Sequence, residues 1–106
     1  MAKYLVEASY TVDGVQGLIA EGGSGRRDAV AKAVTSLGGT MEAFYFVFGD
    51  DDVVILVDMP DNVSMAALSV GVSAAGGAST SVRVLLTPDE IDTAVKKTVG
   101  YRAPGG

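Results

Sequence analysis

Residues Lys3 to Thr11 alternate in polarity, with Tyr4, Val6, Ala8 and Tyr10 on one side and Leu5, Glu7 and Ser9 on the other. A period of two is that of a strand with one face against a core. From Val12 to Leu37 the apolar spacing becomes helical, but Glu21-Gly22-Gly23-Ser24-Gly25 is too rich in glycine for an unbroken helix. The expectation is a short helix, a break and a longer helix capped by Ser24. Ala29, Val30, Ala33, Val34 and Leu37 then form one stripe of the longer piece, and Gly38-Gly39 ends it.

Thr40 to Phe48 and Asp52 to Met59 are rich in Phe, Tyr and Val, and read as two strands joined by a tight turn at Gly49-Asp50-Asp51, residue types that tolerate positive φ. Pro60-Asp61 stops the second of these and caps a helix to about Ala75, with Met65, Leu68 and Val72 facing inward. The rest of that helix is small: Ala66, Ala67, Ser69, Gly71 and Ser73 leave room for another backbone to approach. Ser79 to Leu86 alternates again as a fourth strand. Thr87-Pro88-Asp89-Glu90 is a helix start, with Thr87 as cap, Pro88 in the first position and Glu90 three residues on. A short helix through Ile91, Ala94 and Val95 follows, with Lys96 and Lys97 at its C-terminal end.

Strand, helix, hairpin, helix, strand and terminal helix, connected by right-handed crossovers, give an α+β domain of ferredoxin-like βαββαβ topology, with an antiparallel sheet in the order 4-1-3-2. Residues 1–98 are read as the domain and 99–106 as a flexible tail. Both long helices cover one sheet face. The other carries Leu5, Glu7, Arg83 and Leu85 and is left for a partner to cover, so homo-oligomerisation through that face is expected.

Composition narrows the chemistry. With 106 residues, 48% hydrophobic and 20% charged, one packed core is expected. The net charge of −5 disfavours nucleic acid and anionic membranes as partners. No apolar run is long enough for a membrane span, and the strand pattern begins at Lys3, so a cytoplasmic protein without a signal peptide is the expectation. The chain contains neither cysteine nor histidine. Thiol nucleophiles, His-dependent triads and ordinary zinc sites are thereby excluded, and no cofactor or metal is expected.

From Lys3 to about Lys97 the chain resembles the GYD-domain family. The resemblance rests on Thr11 and Gly14 after the first strand, Gly38-Gly39, Phe44-Tyr45, Gly49 and Asp52, Pro60-Asp61, and the helix start from Thr87 to Glu90. In the motif that names the family, Gly49 and Asp52 match while Asp51 replaces the tyrosine. The resemblance implies a ferredoxin-like, oligomerising domain related to the dimeric α/β barrels, and implies no particular reaction.

Three groups of residues are candidates for chemistry. Ser24, Gly25, Arg26 and Arg27 combine a helix N-terminus with two guanidinium groups, a setting for an anion or for a solvated helix break. Asp50-Asp51-Asp52 offers carboxylate oxygens but lacks the spacing of a calcium loop, and reads as a charged turn. Glu7 and Arg83, on neighbouring strands of the uncovered face, are placed for a cross-strand ion pair. Two functions follow: a homo-oligomeric module for assembly or for binding a small molecule, or a cofactor-independent isomerase or monooxygenase. In the latter Glu7 is the base, Arg83 an electrostatic clamp and Tyr45 a hydrogen-bond donor.

Overall fold

The computed structural model describes all 106 residues. Along the chain run β1 (Ala2–Tyr10), α1 (Val12–Ser36), β2 (Thr40–Phe46), β3 (Val53–Met59), α2 (Asn62–Ala74), β4 (Ala78–Leu85) and α3 (Pro88–Val95). The four strands pair antiparallel in the order β2-β3-β1-β4, the expected order read from its other end, so the architecture is the ferredoxin-like one with an added C-terminal helix. No helix is long and apolar enough to cross a membrane.

Alternation in β1 and β3 divides the sheet. Tyr4, Val6 and Ala8 of β1 and Val53, Ile55, Val57 and Met59 of β3 are buried against Val34 of α1 and Met65 and Leu68 of α2. The intervening residues Leu5, Val54 and Leu56 are only part-buried, because neither helix reaches their face. At the edge of the core the Tyr4 hydroxyl donates to Asn62 Oδ1, joining β1 to the first turn of α2.

Local signals place most element ends. Asp61 caps α2 by accepting from the Ser64 amide at 2.8 Å. Thr87 and Glu90 form the reciprocal capping box of α3, at 3.1 and 2.9 Å. The break in α1 is present, with Gly22 at φ 79° between two helical segments. It moves the cap: Gly22 is the non-helical residue, and Ser24, expected as the cap, lies inside the second segment.

The hairpin departs from expectation. β2 stops at Phe46, and in the connection 47–52 no residue, Gly49 included, has a positive φ. This connection is held from outside the hairpin. The Asp52 amide donates to the Ala8 carbonyl at 2.9 Å and Asp52 Oδ2 accepts from the Tyr10 amide at 2.8 Å, so the end of β1 fixes the loop.

One junction ties the two halves of the fold together. Thr11 caps α1 through the Gly14 amide, while its own amide donates to the Gly77 carbonyl and its hydroxyl to the Gly76 carbonyl, both at 2.9 Å. Here α1 meets the α2–β4 turn so closely that a Cβ on Gly14 would stand 1.9 Å from the Gly77 oxygen. Gly17, one turn on, has nothing within 4 Å of the same position. The two alanine substitutions should therefore have opposite signs. Gly14→Ala is expected to cost about 2 kcal/mol through overpacking, and Gly17→Ala to stabilise by about 0.5–1 kcal/mol through helix propensity. Thermal and urea unfolding of the two variants checks this, and a Gly14→Ala chain as stable as the native one would refute the account of the junction.

Candidate functional site

The uncovered sheet face has an apolar centre and charged ends. Antiparallel register sets Ala43, Leu56, Leu5 and Arg83 in one row across the four strands, and Tyr45, Val54, Glu7 and Ser81 in the next. At one end Lys3 bonds Glu42 and Asp58. Glu42 gets there because the register of β2 slips between Met41 and Ala43, turning the extra residue toward Lys3. The two carboxylates raise the Lys3 pKa, the hydrogen bond to Glu42 having the larger effect.

The other end carries the candidate chemistry. Arg83 Nη1 lies 3.1 Å from Glu7 Oε1, so the cross-strand pair forms, on the diagonal between rows. The two partners differ in exposure: the Glu7 side chain is 24% exposed and that of Arg83 66%. Most of the guanidinium is thus open to whatever meets this face.

Asp51 joins them, a role that reading the sequence locally did not assign. Its carboxylate accepts from the Ser9 hydroxyl at 3.0 Å and shares a hydrogen bond with the Glu7 carboxyl. The shared bond is the main reason that the Glu7 pKa rises; burial adds to the rise and Arg83 opposes it. The same bond, with help from Ser9 and Arg83, holds Asp51 below the usual aspartate range. The two carboxyl groups thus shift in opposite directions, Glu7 upward and Asp51 downward. The signal in the sequence was Asp51 itself, the acid standing where the family motif has tyrosine.

The remaining candidates are placed elsewhere. Tyr45 is on the same face, but Val54 lies between it and Glu7 in the row; two strand spacings put it about 10 Å away, beyond hydrogen-bond reach. Arg26 pairs with Glu21 at 3.3 Å and Arg27 with Asp28 at 3.1 Å, so neither guanidinium beside Ser24 and Gly25 is left free. Asp50, Asp51 and Asp52 do not gather into a three-carboxylate cluster. Gly14 and Asp52 have the structural tasks described above, and nothing in the structure calls for glycine at position 49. A concavity of about 540 Å³ lies away from Glu7, between α1 and α2.

The opposite pKa shifts of Glu7 and Asp51 have a measurable consequence. A glutamate whose pKa is raised by folding contributes stability below its unfolded value, near 4.5, and loses it as the pH rises through the raised value. Asp51, depressed, contributes above its ordinary 3.8 and loses this as the pH falls through the lowered value. Glu7→Gln retains a donor toward Asp51 but does not titrate. Its melting temperature relative to the native chain should therefore improve as the pH rises above 4.5 toward 7; a difference that stays constant over that range rules out the raised Glu7 pKa.

Comparison with known proteins returns one match. The family model described as the GYD domain covers residues 4–95. No curated protein and no solved structure matches the chain.

Proposed function

The chain belongs to the GYD domain family, and we infer that this member works as a homo-oligomeric module whose sheet faces meet across copies and hold a small ligand beside Glu7, Asp51 and Arg83. The observation that carries this reading is the face itself. Leu5, Val54 and Leu56 are part-buried and Tyr45 is 67% exposed, with Glu7 and Arg83 on their β4 side and Lys3, Glu42 and Asp58 at one end. An apolar centre inside a polar rim is the anatomy of a protein interface.

Covering that face changes the chemistry of its charged end. The exposed guanidinium of Arg83 would lose water and take a carbonyl or anionic oxygen of a ligand in its place. Glu7, whose pKa is already raised by Asp51, would be desolvated further and its pKa raised more. The same pair supports a second reading, cofactor-independent acid–base catalysis, because a carboxyl with a raised pKa beside an ionised partner is suited to moving a proton.

Light scattering tests the association directly. The native chain is expected to be larger than one subunit at micromolar concentration. Leu56→Asp, which sets a charge between Ala43 and Leu5, should reduce its size with its circular dichroism retained. A native chain that runs as a single subunit overturns the reading.

A further inference from the structure

We propose that the C-terminal arm, residues 86–106, docks in the cleft between α1 and α2 of a second copy of this chain. The inference goes beyond the sheet-face reading and uses other residues. Every residue from Leu86 to Gly106 is exposed, and α3 buries none of its side chains. Yet α3 has two sides: Ile91, Ala94 and Val95 fall on one, and Asp89, Asp92 and Lys96 on the other. An eight-residue helix is marginal in water without a surface to pack on. Its own chain does not provide that surface. Leu86 alone separates the end of β4 from the cap Thr87, so the strand and the capping box direct the helix outward.

The cleft has the complementary shape. It measures about 540 Å³ and runs between α1 and α2, with Gly17, Ala67, Gly71 and Ala75 along its walls and Leu37 and Leu68 among its apolar lining. Small wall residues allow a third helix to approach closely, since the separation of packed helices follows the size of the side chains between them. Its polar groups are few. Arg26 and Glu21 already pair with each other, whereas Asp13 has no partner in its own chain and can meet Lys96 and Lys97 of an incoming arm.

The dimensions of the chain agree. Its radius of gyration is 17.0 Å, against about 13 Å for a compact chain of this length. Its accessible surface is 7086 Å², against about 5,500 Å² for a folded monomer of this mass. The excess, roughly 1,500 Å², is near what two standard contacts of about 800 Å² per partner would cover. Each chain would cover its sheet face, its arm and its cleft, three patches that share this excess at about 500 Å² each, less than a standard contact.

The absence of cysteine makes cross-linking a clean test. Full-length Ala67→Cys and Ala94→Cys chains, one carrying a mass tag, are mixed and oxidised. A disulfide-linked heterodimer is expected to predominate over self-linked products, and to be lost when the Ala94→Cys chain also carries Ile91→Asp and Val95→Asp. Closure of the bond within a single doubly substituted chain, or no bond in either arrangement, overturns the proposal. The two readings fail separately: a heterodimer from chains in which Leu56→Asp has no effect on size removes the sheet contact alone. Size that depends on Leu56 without any cross-link removes the arm contact alone.

Discussion

Two long helices cover one side of the four-stranded sheet except at its β4 edge, where Val82 and Val84 stay exposed, and the rest of this structure follows from which side that is. The choice is made in β1 and β3, the central strands, where Tyr4, Val6 and Ala8 interleave with Val53, Ile55, Val57 and Met59 to build nearly the whole core. Because side chains alternate, committing those residues inward commits Leu5, Glu7, Val54 and Leu56 to the other face. A one-residue slip would exchange the two sets and bury Glu7 in the helix layer. Burying a carboxylate there without partners is costly enough to protect the register.

The charged end of the open face turns on a long-range contact. Asp51 belongs to the β2–β3 connection, but that loop takes its shape from β1, through Asp52 to Ala8 and Tyr10 and through Asp51 to Ser9. Those bonds set Asp51 against Glu7. With tyrosine in its place there would be no second carboxyl to raise the Glu7 pKa, and Glu7 would face Arg83 alone. The substitution therefore changes the protonation of the site while leaving Asp52, which anchors the loop, in its structural task. A coupled pair of carboxyl groups beside a guanidinium is sensitive to desolvation, so covering this face would shift its titration further.

What could be read from the sequence was whatever is decided locally. The capping box at Thr87 and Glu90, the Asp61 cap and the alternation of β1 rest on neighbours in the chain, and each stands where its pattern placed it. The errors arose where a distant segment decides. Gly49-Asp50-Asp51 looks like a tight turn in isolation, but β1 holds those residues in a wider loop. Ser24 has the chemistry of a cap, yet the chain breaks two residues earlier, where Gly22 takes φ 79°. Tyr45 shares a face with Glu7, and only the pairing of β2 with β3 reveals Val54 between them. The resemblance to the GYD family covered the same span as the family match and gave the fold correctly, but it carried no information on how Asp51 is used.

Two surfaces left bare by one chain restrict how copies can be arranged. A sheet face that meets its own copy is self-complementary and closes at two subunits. An arm seated in a cleft joins different patches, so it closes only by exchange between two copies or by forming a ring. Reach decides between these. Ile91 lies six residues beyond Leu85, most of them helical, which places it about 10–15 Å from the sheet. The cleft of a face-to-face partner is on the far side of that partner's sheet, roughly 20 Å away once sheet spacing and helix radius are added. The arm up to Ile91 would therefore fall short of a sheet partner's cleft, whereas Lys96 and Lys97, about 20 Å along the same arm, would come within its reach, so exchange within one pair is the arrangement that would satisfy both contacts.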